Sequence, residues 1–203
     1  KKENKMIQKS KKNKFLAMGF ISLAAASMLN ASENASLIGL EGGYSSVASE
    51  VTDKAATPNT YTQDKSTMGN VGLKIGAEGK NYRVFLNGRY YLTDGQYDSL
   101  LTYGVDLQYK FNFSSAFDVF VGVGAGIADA KFNVPTEAFT RTIADPYYSG
   151  DIGVNIHMNE SFDLELGARY MSLEALNSKN NVDYNFNNIT TGYASIIYKY
   201  QLD

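Results

Sequence analysis

The chain contains no cysteine. This excludes a disulfide framework, a thiolate metal site and a lipoprotein-type anchor, which needs a cysteine at its cleavage point. Histidine is almost as scarce: His157 is alone, too little for a transition-metal centre. There are only 3 prolines, and beyond Ser32 neither a long apolar run nor a sustained helical period of 3.6 occurs. Basic residues are also short in supply after the start. Seven lysines fall within the first 14 residues, which leaves 12 basic against 20 acidic residues in the remainder. Nucleic-acid phosphates are held by clustered Lys and Arg, so that class of partner is excluded.

What remains is rich in aromatics and glycine, with 15 Tyr, 11 Phe and 18 Gly. This composition favours strands joined by tight turns. The first residues read as an export signal: Lys9, Lys11, Lys12 and Lys14 precede a short apolar run from Phe15 to Leu29, and Leu29-Asn30-Ala31 offers a cleavage point. About 15 residues is short for a transmembrane helix, which needs roughly 20. We therefore expect residues 1–31 to be a signal peptide, with Met6 as initiator and residues 1–5 upstream of it, and residues 32–203 to form one domain.

That domain alternates with period 2. In Asn70–Glu78, Val71, Leu73, Ile75 and Ala77 share one face and Asn70, Gly72, Lys74, Gly76 and Glu78 the other. Thr102–Lys110, Ser149–His157 and Asp163–Arg169 repeat the pattern, and weaker versions occupy Leu37–Ser46, Tyr82–Tyr91, Phe117–Ala130 and Ile189–Leu202. The count is eight strands. Short turns (Gly79–Asn81, Asn112–Ala116, Asn159-Glu160) alternate with long polar connections at Val47–Thr67, Leu92–Ser99, Phe132–Pro146 and Ser172–Asn188. Short turns at one rim and long loops at the other are the arrangement of a membrane-spanning barrel.

The apolar face carries aliphatic centres between aromatic ends. Tyr82 and Tyr90 flank Val84 and Leu86, Tyr103 and Tyr109 flank Val105 and Leu107, and Phe162 and Tyr170 flank Leu164 and Leu166; Tyr44, Tyr148, Tyr198 and Tyr200 also sit near strand ends. Such belts form where amphipathic rings meet the two membrane interfaces. The predicted fold is all-β, an eight-stranded antiparallel up-and-down transmembrane β-barrel. Ile38-Gly39-Leu40-Glu41-Gly42-Gly43-Tyr44, Gly167-Ala168-Arg169-Tyr170 and Tyr198-Lys199-Tyr200-Gln201-Leu202 stand in an order and spacing that resembles the small OmpA/OmpX-type outer-membrane barrels. The resemblance implies a monomer in the outer membrane of a Gram-negative bacterium. Its partners would be lipid and lipopolysaccharide, the barrel-assembly machinery during insertion, and host surface molecules met by the long loops. Members of that family end in an aromatic residue, where this sequence ends Leu202-Asp203, and we expect no wall-tethering role of the kind a following peptidoglycan-binding domain would bring.

On the opposite face, Glu41, Lys74, Arg89, Asp106, Asp151, Glu165 and Arg169 should point into the lumen and pair, because an unpaired buried charge costs several kcal/mol. An eight-stranded barrel has room for side chains and none for a wide channel. Gly122-Val123-Gly124-Ala125-Gly126 is not a phosphate loop, since no helix follows it; its glycines face inward and should make space for Arg or Tyr from across the lumen. His157 lies at the short-turn rim with Ser161 nearby, the wrong end for chemistry on outer-leaflet lipid. No catalysis and no cofactor are expected. A structural or adhesive surface barrel is the leading expectation, with Tyr61, Tyr184 and Phe186 in its loops as contacts; a narrow ion or solute channel comes second and a lipid-modifying enzyme third.

Overall fold

The computed structural model describes residues 35–53, 60–92, 97–133, 140–179 and 182–201. The expected signal peptide lies outside them, and the loop residues Tyr61, Tyr184 and Phe186 fall where only the backbone is described. Eight strands run β1 (Ala35–Asp53), β2 (Thr60–Glu78), β3 (Tyr82–Leu92), β4 (Tyr97–Asn112), β5 (Phe117–Asn133), β6 (Thr140–His157), β7 (Phe162–Lys179) and β8 (Val182–Tyr200). Each pairs antiparallel with its sequence neighbour, and β8 returns to β1 to close the barrel. Within the apolar band closure leaves no strand edge unpaired, which a sheet immersed in hydrocarbon requires.

The turns at one rim are tight. Gly79 N–H donates to Tyr82 O at 2.8 Å and Met158 N–H to Phe162 O at 3.0 Å. The Asn159 side-chain oxygen accepts from the Ser161 and Phe162 amides, both at 2.9 Å, which is the way Asn substitutes for backbone in a turn. At the far rim the structure corrects the sequence reading. Segments expected to be loops are ladder: β1–β2 pairing continues to Asp53↔Thr60, β5–β6 to Asn133↔Thr140 and β7–β8 to Lys179↔Val182. Past the apolar band the sequence no longer alternates apolar with polar residues, so the period-2 signal disappears while the backbone pairing continues.

Alternation sorts the wall cleanly. Leu40 and Val123 stand outside with 67% and 63% of their surface exposed, as do Leu73, Leu107, Ile152 and Ile196. Tyr82, Tyr109, Phe162, Tyr198 and Tyr200 lie on the outer wall towards the short turns, with Tyr82–Tyr109 and Phe162–Tyr198 ring centroids 5.1 Å apart. Phe111, Phe113 and Phe117, which the sequence reading left out, are exposed near this same rim. Tyr44, Tyr90, Tyr103, Tyr148 and Tyr170 are exposed towards the other end of the apolar band. Nineteen residues of β1, at about 3.3 Å each and tilted by about 40°, rise roughly 48 Å, against an apolar band of ~25 Å. The excess, on the order of 20 Å by the same geometry, stands beyond the aromatic belt as paired strand.

The charged lumen as candidate functional site

The inward-facing residues form four zones, here followed from the short turns upward. The first is charged. Asp163 accepts from Arg83 Nη2 (2.5 Å), Lys199 Nζ (2.8 Å) and Asn155 Nδ2 (3.0 Å), and faces His157 Nδ1 at 2.9 Å. Arg83 also donates to Glu78, whose other oxygen lies 3.0 Å from Lys110 Nζ. His157 Nε2 lies 3.3 Å from Asp118. Both ring nitrogens of His157 thus face carboxylates, and the ring is not set against Ser161 as a base. Alternation had already put Glu78, Lys110, Asn155, His157 and Asp163 on the polar face; Arg83, Asp118 and Lys199 were not assigned to it. Parity would have found these: Arg83 shares a face with Arg89, Asp118 with the β5 glycines, and Lys199 with Tyr193.

The second zone is apolar: Leu37, Phe85 and Ile197 form a buried cluster, and Phe120 is fully buried as well. These rings lie on the lumen face, where the sequence reading expected charge and glycine. Glycine makes the room for them. A Cβ on Gly76 would meet the Phe85 ring at 2.7 Å, and one on Gly153 the Phe120 ring at 2.5 Å.

All seven charges expected in the lumen are buried in the third zone. Glu41 accepts from Arg89 Nε at 2.9 Å and from Arg169 at 2.8 and 3.2 Å, with Lys74 Nζ 3.7 Å away. Arg89 reaches Asp106 at 2.5 Å, and Lys74 reaches Glu165 at 2.6 Å. The Tyr193 ring lies 4.3 Å beneath the Arg169 guanidinium and 5.5 Å from the Lys74 ammonium. Arg83 Nη1, 3.7 Å from Glu165, links this zone to the first. Asp151 differs from the other carboxylates. It accepts from Gln108 Nε2 and Tyr193 OH, both at 3.2 Å, and both are neutral. The β5 glycines do make space, but Arg does not fill it. Asp151 and Gln108 close over Gly122, Asp106 and Ser149 over Gly124, and Tyr147 over Gly126, all from the adjacent strands β4 and β6.

The fourth zone was missed entirely. Above a polar step in which Asn70 donates to Ser45 (2.7 Å) and Ser45 meets Thr191 (2.8 Å), nine buried residues form an apolar cluster. They are Val47, Met68, Tyr91, Leu100, Ala128, Tyr147, Met171, Leu173 and Ile189. Val47 and Tyr147 had been read as loop or loop border. Among the described residues, no group of three or more His, Asp or Glu side chains is disposed to hold a metal.

A closed barrel that is apolar outside, aromatic at both borders of its apolar band and ionic within is a transmembrane β-barrel, since only in lipid is such a surface the stable one. The chain belongs to the outer membrane protein beta-barrel domain family, which matches residues 15–194, and it is a protein of the bacterial outer membrane. A search of curated proteins found no match. Among solved structures it is similar to OprG from Pseudomonas aeruginosa (18% identity, TM-score 0.57, covering 83% of this chain and 98% of that one). It is also similar to Neisserial surface protein A (14%, 0.55, 79% and 97%) and to OprH from P. aeruginosa (15%, 0.51, 82% and 99%). At these identities the likeness is one of fold.

Proposed function

We propose that this protein is a closed outer-membrane barrel whose work is done by its far-rim hairpins at the cell surface, in adhesion or in contact with host molecules, with lipid and lipopolysaccharide around its wall. The observation that carries the reading is the filled interior. Two ionic zones and two apolar ones occupy the lumen, and an eight-stranded barrel is only wide enough for the side chains it encloses. Extended strand above the apolar band supports it further, because hairpins held on a rigid wall are placed for binding. The test replaces residues 50–63 and 176–185 with short turns and measures attachment of expressing bacteria to host cells. Attachment should fall to the level of cells without the protein, while the shortened barrel still folds. Attachment unchanged by the replacement would refute the surface role.

A second reading, a narrow channel for ions or small solutes, draws on lumen polar atoms that have no protein partner, among them Thr102 Oγ1, Gln108 Oε1 and Ser195 Oγ. Such atoms fit a file of internal water.

A further inference from the structure

We propose that the glycine strip of β5, with the side chains closing over it, forms an interior site for one monovalent cation of the sodium class. In the third zone four carboxylates (Glu41, Asp106, Asp151, Glu165) stand with three bases (Lys74, Arg89, Arg169), and Arg83, which reaches Glu165 at 3.7 Å, is shared with Glu78 and Asp163 of the first zone. Glu41, Asp106 and Glu165 each hold a base at hydrogen-bond distance, whereas among the described residues no Lys, Arg or His nitrogen lies within 4.0 Å of Asp151. Arg169, its cross-strand neighbour, turns instead to Glu41. Asp151 is only 6% exposed, and a carboxylate taken from water without a counter-charge costs several kcal/mol.

Asp106 Oδ1, Asp151 Oδ1 and Ser149 Oγ are all buried without a hydrogen-bond partner. Asp106 itself is 2% exposed. Asp106 Oδ1 and Ser149 Oγ, the latter at 2.5 Å, converge on the point that a Cβ on Gly124 would fill, and Asp151 Oδ1 sits over the corresponding point of Gly122. The two points are one same-face step apart along β5, about 7 Å. Buried, unpartnered hard oxygen donors beside a wall without side chains suit an alkali cation with part of its water shell. Asp151 is the one carboxylate of the zone without a base beside it, and one positive charge answers it. A divalent ion would add a second one beside the guanidinium groups of Arg89 and Arg169, which lie 2.5 and 3.9 Å from the other oxygen of Asp106.

The full-length barrel, folded into phosphocholine vesicles, is unfolded with urea in sodium chloride and in N-methylglucamine chloride at equal ionic strength and fixed pH. Sodium should stabilise it, the unfolding constant falling about tenfold for each tenfold rise in sodium once the concentration exceeds the dissociation constant. Asp151→Asn, which removes the surplus charge in the same shape, should fold and lose the sodium response. Ser149→Ala should keep the response but move its onset to a several-fold higher sodium concentration. Equal stability of the wild type in both salts would overturn the site, as would a response that survives Asp151→Asn. An infrared carbonyl band of a neutral carboxylic acid, present in the wild type in sodium and lost in Asp151→Asn, would also overturn it, by placing a proton where the ion should be.

Discussion

Replacing Arg89 with methionine separates the carboxylates of the third zone by how many bases each can fall back on. Arg89 is 1% exposed and donates to Glu41 at 2.9 Å, to Asn87 at 2.6 Å and to Asp106 at 2.5 Å. Without it Glu41 keeps Arg169 at 2.8 Å and Lys74 at 3.7 Å. Asp106 keeps only Arg169, at 3.9 Å, and its Oδ1 is already without a partner. The loss therefore falls on Asp106, and stranding a buried charge in this way costs about 3–5 kcal/mol. Adding Asp106→Asn removes the stranded charge, so the double variant should recover most of that loss, with a coupling energy of about 0.5–3 kcal/mol. Asp106→Asn alone should cost less than Arg89→Met, because Arg89 retains Glu41. Urea unfolding of the folded barrel in lipid, followed by tyrosine fluorescence and by the heat-dependent gel shift, gives all three values. An Arg89→Met variant within about 1 kcal/mol of the wild type, or a double variant worse than the single one, would refute the reasoning.

Other substitutions test the outer wall and the packing. Leu107→Arg, on the outer face between the aromatic belts, should destabilise by roughly 2–4 kcal/mol, whereas Glu160→Gln in the exposed turn should change almost nothing; equal tolerance in the same assay would contradict the register. Gly42→Ala meets open space and should be tolerated, while Gly153→Ala would strike the Leu166 carbonyl and the Phe120 ring; both are read from unfolding midpoints, and the reverse order would be wrong for this wall. Tyr147 is fully buried with an unpartnered hydroxyl, so Tyr147→Phe should be neutral or stabilising. Leu100→Ala in the same cluster should cost about 2–5 kcal/mol in unfolding free energy, and a neutral result there would argue against a packed cap.

Legibility in the sequence followed the membrane. Where lipid lies on one side and charge on the other, as in Asn70–Glu78, alternation placed the strand and both its faces. Past Tyr44 in β1 the sequence runs Ser-Ser-Val-Ala-Ser-Glu-Val-Thr-Asp, with no large apolar residue at the positions that continue the Tyr44 face, so the ladder to Asp53 left no pattern to read. The interior was legible where a charge marks it: Glu41, Arg89 and Asp106 are found by type and parity alone. Phe85 and Phe120 are apolar residues on the inner face, and only their parity with Arg83 and Asp118 distinguishes them from lipid-facing neighbours. The glycines of β5 were correctly placed inward, but which side chains would cover them depends on the β4 and β6 registers, Asp106↔Gly124 and Gly122↔Asp151. No single strand contains that information.

The account rests on a closed lumen, and planar-bilayer recording on the purified wild-type barrel tests it most directly. With the third zone paired and the apolar cluster of Val47, Met68, Tyr91 and Leu100 above it, the membrane current should stay at baseline across applied voltages. Steady, repeated single-channel steps from the wild-type protein would contradict it.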